Sequence, residues 1–594
     1  MHNDLEVSDE TRSVRTDRSS LCLDEDDRRY LEALKGRDYV VTKNTRNPLG
    51  LFSVVAFILQ QVIGTGIFRT PWTAMHASES VGTTLLFWLF GAVTAMAGTV
   101  LYVEFGLTLP RHIIDGQEEP VVRNGGDLNY VHYLLKRPKF LVLSFYAINY
   151  IFLASSAANA LSFGDDVVGG QGTDRGALRD AAARGIAILA VTFPCFLHAF
   201  TRRGGILLNN IFVVVKVAIL CTFPIMAICV LCGVADTNHA AENLNPKHSF
   251  ANARSDVDSY TQGILAVLYA YSGYNQANYV LCEIEKPRRN FKRGIIYAVG
   301  TICVLYMLVN LSYMVVVSKE QQLNSSDIAL QFLANIMGQQ HAERLLAGFT
   351  TISTLGNIIG MTYTASKVKQ EIAKEGIIPF AKFFGENRVL FANWRRKHRS
   401  EDPEPTPLGA LFLHWLFAVI LILLTWAAKP ASAYRILVNL YVYWMDIVPS
   451  FIMAIGMLYL RSFTCWSTKS LMPSWLSILA AFIYALANGF PLVAVWIPPT
   501  HTSTDVYDLI PGFPWYMTGT LSWTLLACGV VYWIGFRYVL PRYGARKGKE
   551  FLVEREPVFR MQDGERVQWH EIVLHSWVVK TEPEKSGGYV LNDF

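Results

Sequence analysis

Residues 61–68 read QVIGTGIF, inside an otherwise continuous apolar run, LFSVVAFILQQVIGTGIF, from Leu51 to Phe68. Length and apolarity ask for a helix. Two glycines flanking a threonine cost that helix roughly 2 kcal/mol against alanine. The weakest helix formers therefore stand in the middle of a segment otherwise built to be helical. A second interruption, YAYSGYNQANY at 269–279, breaks a later apolar run in a related way.

The 594-residue chain is 52% hydrophobic and 17% charged, against about 25% charged residues in an average soluble domain. Charges gather in the first 49 residues, the last 55 and short segments between long apolar runs. Many of those runs reach the roughly 18–20 residues that cross a bilayer. The class is an all-α, multi-spanning membrane protein. No cleavable signal peptide is visible, because the polar N-terminus MHNDLEVSDETRSVRTDRSS has no apolar core. The net charge of +5 resides in loops and tails and gives no nucleic-acid signature.

Twelve spans are predicted, at about 50–76, 82–109, 139–163, 184–200, 206–233, 259–282, 295–318, 344–365, 408–428, 434–460, 474–497 and 515–539. The implied organisation is a disordered cytosolic N-tail over 1–49, a ten-helix core over 50–460, two further helices over 474–539 and a cytosolic C-tail over 540–594. Basic residues should mark cytosolic loops. EIEKPRRNFKR after span six carries five, the segment after span eight nine, and the turn after span four Arg202 and Arg203; 77–81 and 498–514 carry none. Both termini are then cytosolic. The sequon Asn324-Ser325-Ser326 falls in a predicted external loop.

The two interrupted segments open the two halves of the core, about 50–233 and 259–460. Paired glycine-interrupted segments in two inverted halves point to a transporter's binding site. A helix broken at mid-membrane survives only where protein or a watery cavity lines it. The break frees N–H groups at the start of its second half and carbonyls at the end of its first. The former attract anions and the latter cations. A zwitterion needs both: the amides of Thr65, Gly66 and Ile67 for a carboxylate, and the carbonyls of Val62, Ile63 and Tyr269 for an ammonium. The competing reading is that Gly64 and Gly66 simply permit close helix packing.

These residues resemble a known group. IGTGIF, YSGYNQANYVLCEIEKPRRNFKRGI, VEFGLTLP with NGGDLNYVHYLLKRPKF, and ISTLGNIIGMTYTASKVKQEIAKEGIIP are similar to the L-amino-acid transporter branch of the amino acid–polyamine–organocation superfamily, over roughly 48–460. Within it the chain looks most like fungal high-affinity methionine permeases. The resemblance implies a LeuT-type fold of five-plus-five inverted repeats, with helices one and six discontinuous and alternating access around them. It carries substrate contacts to Val62, Ile63, Thr65, Gly66 and Ile67 in span one and to Tyr269 and Ser272 in span six. Tyr274 stands at a thin gate, Asn275 ties the unwound loop, and Ser155 lies at a polar pocket position. Ser272 replaces a glycine common in human-type members and narrows the pocket. Arg69 replaces a small or apolar residue; it either draws anionic groups into an outer vestibule or snorkels to headgroups. The loop 164–183 lacks the cysteine that heteromeric relatives use for a disulfide-linked glycoprotein subunit, so no such partner is expected.

Four ionisable residues stand apart as coupling or gating candidates: Lys216, Glu104, Asp446 and Arg69. Lys216 lies about 20 Å along its helix from Arg203, too deep to snorkel comfortably. It is either a titrating coupling group or a permanently charged tether. Glu104 forms either a gate pair with Arg111 or an interfacial acid. Asp446, in VYWMDIVPS, is either functional or buried against a hydrogen-bond donor. Tyr441 and Tyr443 read as packing, His414 as a satisfied interior histidine, and 326–337 as an amphipathic external segment. The nine cysteines, including the Cys229–Cys232 pair, show no metal spacing and no cofactor is expected.

The chain has no GxxxxGK[ST] loop, so an ATP-driven pump is not indicated, nor is an enzyme. The leading function is proton-coupled uptake of a neutral, methionine-like amino acid at the plasma membrane, with the vacuolar membrane as the alternative. An obligatory exchanger and a non-transporting amino-acid receptor are the rivals. Polyamine transport fits less well, since neither broken segment carries an acid. Lys35 and Lys43 are candidate ubiquitin acceptors in the N-tail.

Overall fold

A computed structural model describes residues 38–43, 48–114, 117–169, 176–325, 327–390, 404–497, 516–543, 546–562 and 565–579. Lys35 with residues 1–37, the final residues 580–594 and Arg395 to Arg399 lie outside the described residues, as does Ser326 of the sequon. Among the described residues nine helices are long and apolar enough to cross a membrane, or ten if one bent pair counts as one span.

That pair is the stretch the sequence singled out. Helix α1 (Leu51–Val62) stops at Ile63, and α2 (Gly66–Ser78) starts after Thr65 with a 43° change of direction. Helices α3 (Val81–Thr108), α4 (Asp127–Leu134), α5 (Leu141–Leu153) and α6 (Ala157–Gly169) follow. Next come α7 (Ala177–Phe200) and α8 (Arg202–Leu231), whose outward residues Leu189, Phe196, Leu207 and Val214 are exposed apolar side chains suited to lipid.

The second interruption is also a break. Helix α9 (Val257–Tyr271) ends where Ser272 is extended and Gly273 turns left-handed at φ 104°, and 274–283 continues as a tight 3-10 run. Only glycine takes that φ without strain. A Cβ at Gly273 would also stand 2.5 Å from Gln61 Cγ, so the two breaks touch. Then follow α10 (Pro287–Val316), α11 (Ile328–Met337), α12 (Gln339–Lys374), the shorter α13 (Leu408–Leu424) and α14 (Pro430–Tyr441). A π-helical turn over 442–447 joins α14 to α15 (Val448–Phe463); α16 (Ser474–Ala494) and α17 (Met517–Ile534) complete the bundle. The segment 328–337 is amphipathic as expected, burying Ile328, Ala329, Phe332 and Leu333.

Strands amend the all-α expectation outside the bundle. β1 (Asp38–Lys43), from the segment expected to be disordered, pairs antiparallel with β5 (Glu565–Val579), which pairs with β4 (Lys549–Gln562). A separate hairpin joins β2 (Arg111–Ile114) and β3 (Gln117–Pro120). The three-stranded sheet draws one strand from before the first helix and two from after the last. It docks on the end of α12: Arg555 reaches Glu371 at 3.0 Å and Glu375 at 2.6 Å, and Lys374 bonds Glu571 at 2.9 Å. Burial raises the proton affinity of Glu571, but Lys374, Arg555 and Arg123 beside it outweigh that and hold its carboxyl well below the usual range.

Candidate functional site

Glycine lets α1–α2 approach α9 closely. A Cβ on Gly66 would meet the Ala270 backbone at 3.0 Å, and one on Gly64 would meet Asn357 Nδ2 at 2.6 Å. The packing role weighed for these glycines is therefore present, and it coexists with a cavity. A space opens beside the break, with about 660 Å³ free of protein atoms when its open mouth is included. Val62, Thr65 and Gly66 line it from the first break, Tyr269 and Ser272 from the second, and Ser155 from the kink between α5 and α6. Gln61, Asn159 and Asn357 add polar groups; Leu153, Met361, Leu421 and Leu437 add apolar walls.

Backbone hydrogen bonding agrees with the chemistry of a broken helix for the amides. Among the described residues, none accepts a hydrogen bond from the N–H groups of Thr65, Gly66 or Ile67. The carbonyls differ from expectation. Lys216 Nζ donates to the Gln60 carbonyl at 2.9 Å, to the Ile63 carbonyl at 2.7 Å and to Asn357 Oδ1. The Ile63 oxygen also accepts from Ser353 at 3.2 Å, which fills both of its lone pairs. Val62 O accepts from the Tyr306 hydroxyl at 2.7 Å and keeps one lone pair. Ile63 and Ile67 do not line the cavity.

Beside the cavity the hydroxyls of Thr65, Tyr269 and Tyr434 meet. Tyr434 OH is 2.6 Å from Thr65 Oγ1 and 3.0 Å from Tyr269 OH. Above them Arg69 lies over the Tyr434 ring and pairs with Asp166 at 3.1 Å. Arg69 thus has a protein partner that neither sequence reading supplied. A second cavity, of about 480 Å³, lies behind the second break and shares Ser272 with the first. Tyr274, Asn275 and Asp446 line this second space rather than the first. The Tyr274 hydroxyl bonds Tyr484 at 2.7 Å, so it does not cover the first cavity as a gate there would. Asn275 does tie the loop, donating to Asp127 at 3.2 Å and to the Tyr279 hydroxyl at 3.0 Å.

Comparison with known proteins follows the same line. The family model for amino acid permeases matches residues 49–523. The chain belongs to that family. The high-affinity methionine permease of Saccharomyces cerevisiae is 26% identical over 510 residues, 84% of this chain and 80% of its own. The large neutral amino acids transporter small subunit 2 of Rattus norvegicus is 25% identical over 478 residues, 80% of this chain and 81% of its own. The b(0,+)-type amino acid transporter 1 of Mus musculus is 25% identical over 338 residues, 56% of this chain and 64% of its own. The protein is a multi-pass membrane permease for amino acids.

In this permease Glu104 makes no gate pair with Arg111, which bonds Glu118 instead at 3.3 Å. Glu104 is buried against Arg461 at 2.6 Å and accepts from Trp466 Nε1 at 2.6 Å, from Ser470 at 2.9 Å and from Ser477. The cluster fastens α3 to the end of α15 and the start of α16, so it is a structural anchor. His414 is satisfied as expected, 3.0 Å from Ser156 Oγ. Tyr441 lines the first cavity, whereas Tyr443 bonds the Leu492 carbonyl at 3.3 Å. Sequence reading missed Asn357, Tyr434, Asp127 and Asn159. A polar residue inside an apolar run, as in STLGNIIG, was the available signal for Asn357.

Proposed function

We propose that this permease takes up neutral, methionine-like L-amino acids by alternating access in a LeuT-type arrangement of two inverted five-helix repeats. The observation carrying this reading is the meeting of two broken helices, Gly66 against Ala270 and Gly273 against Gln61, beside a cavity with unpaired amides. Those amides suit a substrate carboxylate. The remaining lone pair of Val62 O, with Gln61 and Asn159 nearby, suits the ammonium. The walls from Leu153, Met361, Leu421 and Leu437 suit an uncharged, flexible side chain. The printed name of the yeast relative supports methionine as the first substrate to test.

Proton coupling is the favoured drive. Lys216 Nζ already engages the carbonyls of Gln60 and Ile63, the groups a metal cation would need at the break. The basic loops support cytosolic termini, and the plasma membrane is the favoured site of action, with the vacuolar membrane as the alternative. The test is radiolabelled methionine uptake into proteoliposomes under an inward proton gradient, beside vesicles preloaded with unlabelled amino acid. Concentrative uptake into empty vesicles, absent in Gly66→Leu, is expected. Uptake confined to preloaded vesicles would make the protein an exchanger. Binding without uptake in either would make it a receptor.

A further inference from the structure

Proton coupling needs a group that gains and loses a proton as the cavity fills. Lys216 is poorly suited to it. Its three donors meet three acceptors, the carbonyls of Gln60 and Ile63 and Asn357 Oδ1, and it is 1% exposed. A neutral amine has only two N–H donors, and its lone pair would face one of those oxygens.

Asp446 presents the opposite arrangement. It sits in the π-helical turn 442–447, a local widening of a helix that is often found at functional sites. It lines the second cavity. Its Oδ2 accepts from Ser272 Oγ, the residue that lines both cavities at the second break. The ionisable groups around it are Tyr146 and Tyr150 of α5, Tyr274, Tyr484 of α16, its helix neighbour Tyr441, and the Asp127 carboxyl. None of these is a cation, and among the described residues no ion pair involves Asp446. A carboxylate at this depth without a counter-ion is costly, and such residues mark ion or proton pathways.

We infer that Asp446 is the proton-carrying group of this permease, linked to substrate through Ser272. The inference rests on the proton-coupled reading above. A proton from water on the outside adds to a carboxylate oxygen of Asp446, forming the O–H bond. After the cavity opens to the cytosol that bond breaks and the proton passes to water there. The amino acid crosses as a zwitterion, so each turnover moves one positive charge inward. Substrate bound at the Ser272 break alters the hydroxyl that Asp446 leans on, which ties loading of one to loading of the other.

Asp446→Asn is the central test, since its side-chain oxygen still accepts from Ser272 while the group stays neutral. In proteoliposomes, exchange of external labelled for internal unlabelled methionine should persist. Concentrative uptake, worth about tenfold per unit of pH gradient at one proton per substrate, should collapse to simple equilibration, and the substrate-induced current should vanish. Asn variants that still concentrate methionine would overturn the inference and leave the coupled reading intact. An unsubstituted protein that shows no gradient-driven uptake would instead sink that reading itself. If the Asn variant neither folds nor exchanges, Asp446→Glu decides. A displaced pH profile of uptake supports the role, and an unchanged profile rejects it.

Discussion

Lys216→Met separates a tether from a titrating group. The methionine side chain keeps most of the length and loses the charge and all three donors. The Ile63 carbonyl retains Ser353, but the Gln60 carbonyl and Asn357 Oδ1 lose the donor that Lys216 gave them. An unsatisfied buried acceptor costs about 1–3 kcal/mol, so two orphans cost about 2–6 kcal/mol. Relief of the buried ammonium's desolvation offsets part of this. The remaining cost falls where α1 ends, because Lys216 is what ties α8 to the break and to α12. Thermal unfolding in detergent should show a lowered midpoint, and exchange and gradient-driven uptake should fall together. The refuting result is a Lys216→Met protein with unchanged stability and normal exchange that has lost only its gradient drive. That pattern would return the coupling role to Lys216.

Three further outcomes follow from the same contacts. Arg461→Ala leaves Glu104 buried without its cation, which should cost about 3–5 kcal/mol, read as a lower unfolding midpoint in detergent. Gly66→Ala forces its Cβ to 3.0 Å from the Ala270 backbone, so methionine binding should weaken in an equilibrium binding assay, and Gly66→Leu should abolish it. Glu571 has a depressed folded-state pKa, so its contribution to sheet docking is present above the unfolded value of about 4.3 and lost as pH falls through the folded one. Amide exchange across β5 should therefore be insensitive to protonation of Glu571 between neutrality and mild acid, with protection lost only in strong acid.

What the sequence disclosed and what it withheld have separate physical grounds. The break in QVIGTGIF was legible because glycine in a long apolar run is a local contradiction, visible without any knowledge of what packs against it. Gly273 was legible for the same reason. Side-chain partnerships were not, since they depend on which helices lie together. Glu104 and Arg461 are 357 positions apart, and Thr65 and Tyr434 are 369 apart. Arg111 was near Glu104 in the chain and so invited a pairing that the fold does not make. The strand Asp38–Lys43 was hidden too. Six residues at the end of a charged tail look disordered until their partner, β5 from the far end of the chain, supplies the hydrogen bonds. Lys216 was flagged by depth alone, and only the three acceptors around it favour a tether.

Ser272 gives the sharpest test of how the two cavities share their work. Its side chain stands between the space beside the first break and the space that holds Asp446. Two consequences of the hydroxymethyl group can be separated by paired substitutions. Ser272→Ala removes the oxygen and keeps the Cβ; Ser272→Gly removes both. If volume limits the side chains admitted, competition by phenylalanine and tryptophan against methionine uptake should rise from serine to alanine to glycine. If the bond to Asp446 is what matters, alanine and glycine should behave alike, and both should alter the pH profile. The structure favours both effects together: graded admission of aromatic substrates, and a shift of the pH profile common to the two variants. A graded loss of selectivity with no change in pH profile would cut Ser272 out of the coupling. Equal selectivity and an unchanged pH profile in all three proteins would mean that the two cavities do not communicate through this residue.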